Sequence, residues 1–243
     1  MLGGTSEARA LASALVARDI AVVSSLAGRV ARPRLPAGEV KIGGFGGPDG
    51  LAAWLAEHRV RAVVDATHPF AERISTSAVA ATEAAAVPLL RLQRPGWQAR
   101  ADADWRWADS LDDAARMLPS LGTRVFLTSG RQGLAAFAHL RDIWFLIRCV
   151  DPPHEPLPPH REIVLDRGPY TVDGERALLR DHRIEVLVTK DSGGTMTAAK
   201  LDAATELAIP IVVIRRPPAP QGPAAASVTQ AEQWVMERLA ASE

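Results

Sequence analysis

The chain has 243 residues and nearly half of them are apolar, which is enough for two domains with hydrophobic cores and argues against disorder. Its 28 basic and 28 acidic side chains balance, so nucleic acid and anionic membrane surfaces are poor default partners. The single cysteine, Cys149, excludes an internal disulfide. Together with the absence of a long apolar stretch or a recognisable secretory signal, it leads us to expect a cytoplasmic protein.

Helical and β-branched segments alternate along the first part of the chain. Apolar residues at helical spacing predict helices over 6–18, 48–58 and 72–86, and short apolar runs predict strands over 19–25, 60–65 and 87–92. A further strand is possible before Gly43. This β-α-β alternation predicts a parallel sheet covered by helices on both faces.

The segment 93–109 interrupts this rhythm with Pro95, Gly96 and three tryptophans, and we interpret it as a linker that also forms part of an interdomain surface. Alternation then resumes, with helices predicted over 110–118, 134–140, 171–183 and 198–208 and strands over 123–128, 143–149, 184–189 and 209–214. Proline-rich connections are predicted at 152–159 and 217–223. An amphipathic helix is predicted over 229–241.

The two halves of the chain echo each other. A strand, a polar loop, a helix and a strand ending in Arg-Pro occupy 60–95 and again 184–217. We therefore expect two Rossmann-like, doubly wound α/β domains with parallel sheets and a ligand cleft between them. The predicted boundaries are 1–93 for a dinucleotide-binding domain, 94–226 for a second α/β domain that binds substrate, and 227–243 for a terminal helix that could pack on either domain or on a partner chain.

The turn Gly3-Gly4-Thr5-Ser6-Glu7 directly precedes the first predicted helix. Glycine permits the close backbone approach that a pyrophosphate needs, and a helix N-terminus offers unpaired N–H groups. Thr5 or Ser6 can cap the helix and reach a phosphate oxygen. Because the spacing is not G-x-G-x-x-G, a dinucleotide site and a plain strand-to-helix turn both remain open.

The second predicted strand ends at Ser24-Ser25 and is followed by Gly28-Arg29. An acidic residue usually receives the ribose hydroxyls of NAD at this point, whereas an arginine with small hydroxyl residues suits the 2′-phosphate of NADP. The pattern favours NADP, with a solvated Arg29 as the alternative. The glycine-dense loop 43–47 either closes over the cofactor or is a flexible turn.

The segment 65–71 (DATHPFA) lies where the next predicted strand ends. The carboxyl ends of parallel strands form the functional edge of such sheets. Thr67 and His68 are therefore candidates for contact with a ligand. A purely structural histidine is the alternative.

Two segments of the second half occupy equivalent strand ends, Ser129-Gly130-Arg131-Gln132 and 189–194 (TKDSGG). Both combine backbone N–H groups with a cation, which suits carboxylates or phosphates. Two of the three lysines of the chain, Lys190 and Lys200, lie in or near the second segment. Helix capping with solvent-exposed lysines is the alternative.

Missing motifs exclude several other enzyme classes. The only tyrosine, Tyr170, has Gly174 four positions later, so the Tyr-x-x-x-Lys pair of short-chain dehydrogenases is absent. The sequence has no Cys/His cluster for zinc, no P-loop and no G-x-S-x-G nucleophile elbow. We therefore expect no bound metal.

Taken together, these motifs resemble the precorrin-6A reductase family of cobalamin biosynthesis. The segments that carry the resemblance span nearly the whole chain in the family's order: 2–9 (LGGTSEAR), 25–29 (SLAGR), 43–47 (GGFGG), 65–71 (DATHPFA), 92–95 (LQRP), 129–132 (SGRQ) and 189–194 (TKDSGG) with Lys200. The resemblance implies two Rossmann-like domains and an NADPH-dependent reduction of a carbon–carbon double bond in a tetrapyrrole-derived macrocycle, precorrin-6A, to give precorrin-6B.

The resemblance, with the positions of the residues, assigns candidate roles. The residues expected at the cofactor are Gly3, Gly4, Thr5, Ser6, Glu7, Ser24, Arg29, Thr67 and His68. Those expected to bind the carboxylates of the macrocycle are Arg94, Arg131, Lys190, Ser192, Gly193 and Lys200. The candidates for a proton donor or substrate anchor are His68, Lys190 and Asp191.

The chain departs from the family's pattern at its start, because only Met1 and Leu2 precede the glycine turn. A strand normally needs about four to six residues. We therefore expect either a stunted first strand or a start that lies inside it, and weak pairing at residues 1–2 would favour the second.

Two other functions remain as alternatives. One is a cofactor-free tetrapyrrole enzyme of the uroporphyrinogen-III synthase type, which would share two α/β domains, and the other is a nucleotide-sensing protein without catalysis. The sequence leaves open whether the protein is a monomer or a homodimer.

Overall fold

The computed structural model describes residues 1–28, 33–154 and 156–241. The strands in these residues are β1 Val23–Leu26, β2 Glu39–Ile42, β3 Val63–Asp65, β4 Leu89–Leu92, β5 Trp105–Ala108, β6 Arg124–Leu127, β7 Trp144–Cys149, β8 Arg161–Leu165, β9 Val186–Lys190, β10 Ile211–Ile214 and β11 Ala224–Ala225. The α-helices are α1 Ser6–Val16, α2 Pro48–Glu57, α3 Glu72–Ala84, α4 Leu111–Met117, α5 Val172–Asp181, α6 Ala199–Glu206 and α7 Val228–Ala240.

The chain forms two compact units. Residues 1–95 and 217–243 form unit 1, and residues 96–216 form unit 2. The predicted second domain, 94–226, runs further along the chain than unit 2. The difference arises because β11 pairs with β4 and α7 packs on α1, which attaches the C-terminal segment to unit 1.

Unit 1 is built on a parallel sheet in the order β2-β1-Leu2-β3-β4-β11, in which Leu2 bridges Ser25 of β1 and Asp65 of β3. Counted along the chain within the unit, this is the 3-2-1-4-5-6 order of a Rossmann sheet. Alternate residues of β3 enter different cores: Val64 packs with α1 and α7, and Val63 packs with α2 and α3. The sheet is therefore covered on both faces.

The start of the chain is short but paired. Leu2 donates to the Val64 carbonyl at 2.9 Å and accepts from the Ala66 amide at 2.9 Å, and the Ser25 amide donates to the Met1 carbonyl at 2.8 Å. The weak pairing that we considered at residues 1–2 is not observed. These two residues occupy the central strand position of the sheet.

Unit 2 has a six-stranded sheet in the order β5-β10-β9-β6-β7-β8, with every pairing parallel. Read from β8 and counted from β6, the strands β8-β7-β6-β9-β10 follow the 3-2-1-4-5 order, and β5, the first strand of the unit in the chain, takes the sixth position. Helices α5 and α6 pack together and contribute Leu179 and Leu201 to one core. The prediction of doubly wound α/β units with parallel sheets is confirmed.

The chain passes between the units twice, after β4 and after β10. After each crossing it adds an edge strand to the sheet of the other unit, β5 beside β10 and β11 beside β4. The prediction of 93–109 as linker is therefore wrong for Trp105–Ala108. The predicted helix over 134–140 is instead a short 3-10 helix, Leu134–Phe137, and strand β8 was not predicted.

Candidate functional site

The glycine turn lies at the carboxyl edge of the unit 1 sheet, between Leu2 and helix α1. The Gly3 amide donates to the Ser25 carbonyl at 3.0 Å, which ties the turn to β1. Gly4 has φ +122°, a conformation that favours glycine, and a Cβ placed there would meet no atom within 4 Å. Among the described residues, the turn therefore opens onto space immediately before the N-terminus of α1.

Thr5 joins the N-terminus of α1 to the end of β3. Its Oγ1 accepts from the Ala8 amide at 3.1 Å and donates to the Ala66 carbonyl at 2.8 Å. The hydroxyl is thus the N-cap of α1, and Thr5 is buried. The amides of Ser6 and Glu7 lie in the first turn of the helix, where no intrahelical acceptor exists, and this is the usual position of an anion site.

The segment after β3 is organised by the buried carboxylate of Asp65. Its Oδ1 accepts from the amide and hydroxyl of Thr67, at 3.1 and 2.7 Å, and its Oδ2 accepts from Ser75 at 2.6 Å. The exposed His68 follows, and its Nδ1 accepts from the Phe70 amide at 3.3 Å. In a neutral ring with this bond the proton resides on Nε2.

Arg94, which we expected in the substrate-binding domain, belongs to unit 1. Its Nη1 donates to Glu7 Oε2 at 2.6 Å, and Ser6 Oγ donates to the same oxygen at 3.0 Å. Partial burial raises the pKa of Glu7, but the bond from its own backbone amide and the charge of Arg94 outweigh this and lower it below the usual range. A shallow depression lined by Thr5, Glu7, Thr67 and Arg94 lies here.

Other expected cofactor residues differ from the prediction or cannot be placed. Ser24 lies within β1, two residues before its end, and is 1% exposed, so its contact with a cofactor stays a prediction. Arg29 lies outside the described residues. The loop 43–47 is held in place, because Lys41 donates to the Gly44 carbonyl at 3.1 Å and Phe45 packs edge-on against Trp54.

The corresponding edge of unit 2 gathers several predicted substrate residues. Lys190 ends β9, and Ser192 and Gly193 follow it, all of them partly exposed. Ser129 follows β6, and its buried Oγ has no hydrogen-bond partner. Arg131 comes two residues later and is partly exposed. Since neighbouring strands are parallel, β6 and β9 bring these two segments to the same edge.

The two remaining predicted residues of this region are buried. Asp191 is 8% exposed; its Oδ1 accepts from the Trp97 amide at 2.9 Å, and its Oδ2 forms an ion pair with Arg216 Nε at 3.2 Å. Lys200 is 3% exposed, donates to the Thr197 carbonyl at 2.7 Å and lies over the Trp97 ring at 4.7 Å. Lys200 thus contacts the protein interior, where a substrate carboxylate would have to displace packed side chains.

Sequence reasoning missed Trp97 and Arg216, which bind the predicted Asp191. Trp97 Nε1 also donates to the Gly194 carbonyl at 3.2 Å, so the 189–194 segment binds both the backbone amide and the ring of Trp97. One signal was available for Arg216, because the Arg-Pro pair at 216–217 echoes the pair at 94–95. No comparable pattern marked Trp97.

The described residues lack two features. None of their helices combines the length and apolarity needed to cross a bilayer. Within the same ranges, no cluster of three or more His, Cys, Asp or Glu side chains could hold a metal ion.

Comparison with known proteins gives one consistent result. The profile of the family described as "Precorrin-6x reductase CbiJ/CobK" matches residues 1–236. A precorrin-6A reductase of Rhodococcus erythropolis is 58% identical over 90% of this chain and 89% of its own length. One of Mycobacterium tuberculosis (strain H37Rv) is 52% identical over 97% and 96%. A solved structure titled "CobK precorrin-6A reductase" superposes with a TM-score of 0.92 at 40% identity, covering 98% of this chain and 95% of that one.

Proposed function

The chain belongs to the precorrin-6x reductase CbiJ/CobK family, and we propose that it uses NADPH to reduce one carbon–carbon double bond of precorrin-6A, giving precorrin-6B. The observation that carries the cofactor proposal is the open glycine turn at the N-terminus of α1. A dinucleotide pyrophosphate needs close backbone approach beside a helix N-terminus, and Gly4 offers this approach directly before the first turn of α1.

The choice of NADPH over NADH rests on the end of β1. Strand β1 ends at Leu26, and the next residues, Ala27 and Gly28, carry no carboxylate to receive ribose hydroxyls. The sequence then continues with Arg29, whose charge suits a 2′-phosphate. This proposal predicts a cofactor preference that a titration can measure directly.

The macrocycle is an acidic substrate, and we assign its carboxylates to the edge of unit 2. Arg131 and Lys190 supply positive charge, and Ser192 with Gly193 supplies hydroxyl and backbone donors. The unpartnered Ser129 hydroxyl lies at the same edge and is a further donor.

When bound, a reduced nicotinamide supplies the hydride, and the residues of the chain orient the reactants and provide a proton for the neighbouring carbon. His68 is the candidate in unit 1, because the bond at Nδ1 places a neutral ring's proton on Nε2. Lys190 is the candidate in unit 2. Asp191 is a weaker one, since its Oδ1 already accepts from the Trp97 amide and its Oδ2 is paired with Arg216.

The test compares the unmodified chain with Gly4→Ala in separate titrations with NADPH, NADH and a tetrapyrrole carboxylate. An alanine at φ +122° is strained, and its Cβ enters the space assigned to the pyrophosphate. We expect the unmodified chain to bind NADPH more tightly than NADH and to bind the tetrapyrrole as well. We expect Gly4→Ala to weaken NADPH binding at least about tenfold.

The matched control is Gly222→Ala, which also replaces a glycine of unit 1 with positive φ, +141°, and no atom near the added Cβ. Its NADPH affinity should equal that of the unmodified chain. If the unmodified chain bound the tetrapyrrole but did not bind NADPH, the result would instead favour a cofactor-free enzyme. Binding of NADPH without the tetrapyrrole would favour a nucleotide sensor.

A further inference from the structure

The first and last residues of unit 2 meet at one side chain. The chain enters this unit at Gly96 and leaves it at Arg216. The Asp191 carboxylate accepts from the backbone amide of Trp97, the second residue of the unit. The same carboxylate lies 3.2 Å from Arg216 Nε, and the backbone carbonyl of Asp191 accepts a hydrogen bond from that Nε at 2.9 Å. One buried carboxylate therefore contacts both places where the polypeptide crosses.

The packing around this carboxylate is close. A Cβ on Gly96 would lie 2.5 Å from Asp191 Oδ2 and 3.1 Å from Oδ1, so only glycine fits against the carboxylate without displacing it. The Trp97 side chain is held by the Gly194 carbonyl and lies against the Lys200 ammonium. The segment after the first crossing is thus anchored through both its backbone and its side chain.

The neighbouring Arg215 forms a solvent-exposed ion pair, which serves as a comparison. Arg215 pairs with Asp109 at 3.0 Å, but their side chains are 55% and 84% exposed. The Arg216–Asp191 side chains are 16% and 11% exposed. Exposed pairs contribute little, whereas breaking a buried, hydrogen-bonded pair leaves an uncompensated charge. The difference separates the Arg216–Asp191 pair from the exposed pair beside it.

We propose that Asp191 is a positioning residue that holds the two crossing segments of unit 2 together, and that the reaction depends on it through this anchoring. The dependence of the reaction rests on the proposed function, but the anchoring does not. In this assignment Asp191 touches neither cofactor nor substrate. Its loss should loosen Gly96–Trp97 and Arg216 without weakening NADPH binding, because the glycine turn belongs to unit 1.

Three single variants of the full chain each change one residue of the contact around Asp191. Asp191→Asn keeps the shape but removes the charge, Arg216→Gln removes its partner, and Gly96→Ala pushes a methyl group into the carboxylate. Amide hydrogen exchange at Trp97 should accelerate at least about tenfold in each, the factor expected for losing a hydrogen bond to a charged group. We expect kcat to fall in all three, with the NADPH Kd unchanged.

The matched control is Asp109→Asn, which removes the same charge from the exposed pair on Arg215; it should change neither exchange nor kcat. The double variant Asp191→Asn/Arg216→Gln removes both partners of the pair. Its effect should not exceed the larger of the two single effects, because both changes break the same pair.

The proposal is overturned if Trp97 exchange stays at the unmodified rate in Asp191→Asn. It is equally overturned if Asp191→Asn alone loses turnover while Arg216→Gln and Gly96→Ala keep it, because Asp191 would then act by its own chemistry. Failure of the unmodified chain to bind NADPH would refute the proposed function. The exchange measurement would still decide the anchoring.

Discussion

Replacing Lys200 by Met should change how the stability of the protein depends on pH. Lys200 is 3% exposed in the core of unit 2. Burial, reinforced by the nearby positive charge of Arg148 and opposed by Glu175, lowers the pKa of Lys200 from its ordinary 10.5 to about 7. Methionine has a similar length and no charge, so the variant removes the titration while largely keeping the volume.

The sign follows from which state holds more protons. Between about pH 7 and 10.5 the unfolded chain keeps a proton on Lys200 that the folded chain has lost, so the free energy of unfolding rises with pH in this window. Below about pH 7 both states are protonated and the full penalty for burying the charge applies. A pKa unit corresponds to about 1.4 kcal/mol, which makes that penalty about 5 kcal/mol.

Integrated over the two protonation equilibria, this contribution of Lys200 should increase the free energy of unfolding by about 2 kcal/mol between pH 7 and pH 9. Urea unfolding at pH 7, 8 and 9 measures this for the unmodified chain and for Lys200→Met. The difference between the two proteins at each pH isolates Lys200 from all other titrating groups.

Lys41→Met is the matched control. Lys41 also donates to a carbonyl, that of Gly44, and lies over an aromatic ring, that of Phe45 at 4.3 Å, but its hydrogen bond is exposed to solvent. Its replacement removes similar contacts without removing a buried charge. Parallel curves for the unmodified chain and Lys200→Met between pH 7 and 9 would refute the reasoning, since Lys200 would then keep its proton in the folded protein.

Two further predictions, one with a control variant, concern contacts within each unit, and the free energy of unfolding in urea measures both. Glu175→Gln breaks the buried bidentate pair with Arg148, at 2.6 and 3.0 Å, and should cost about 3–5 kcal/mol. Arg176→Gln, which breaks exposed pairs on the same helix, should cost less than about 1 kcal/mol, and equal costs would contradict this reasoning. Thr5→Val removes the N-cap of α1 and the bond to Ala66 and should cost about 1–2 kcal/mol, whereas an unchanged stability would show that the cap is not needed.

The elements that sequence patterns predicted well are those whose apolar residues face a core. Strands β6, β7, β9 and β10 are nearly continuous apolar runs because a central parallel strand is buried on both faces. Strands β5 and β8 lie at the two edges of the same sheet, and β8 is mostly exposed. Edge strands need no apolar run, so their sequences resemble those of connecting segments.

The crossings could not be predicted from local pattern for a related reason. The Arg-Pro pairs at 94–95 and 216–217 indicated repeated ends of strands, and the chain does leave its unit at each of them. Where it goes next depends on which sheet has a vacant sixth position. The vacant position is a property of the whole fold. The two residues of β11, Ala224 and Ala225, therefore give no sign in the sequence that they pair with β4.

The candidate site divides in the same way. The place of the glycine turn and of the helix cap could be predicted from spacing, with Thr5 or Ser6 as the capping residue, and the structure assigns the cap to Thr5. Asp191 depends on Trp97, which is 94 positions away along the chain. A polar residue after a strand looked like a ligand contact, because the sequence alone does not show that its oxygens already have partners.

The two Arg-Pro segments show how far the internal echo extends. Arg94 binds Glu7 at the end of unit 1, and Arg216 binds Asp191 at the end of unit 2, so each crossing arginine is paired with a carboxylate of the unit that it leaves. The surroundings of the carboxylates differ. Glu7 lines a depression with Thr5, Thr67 and Arg94, whereas Asp191 is enclosed by Gly96 and the Trp97 amide. The repeated pattern thus preserves the way the chain crosses, and the two halves differ in what remains accessible for chemistry.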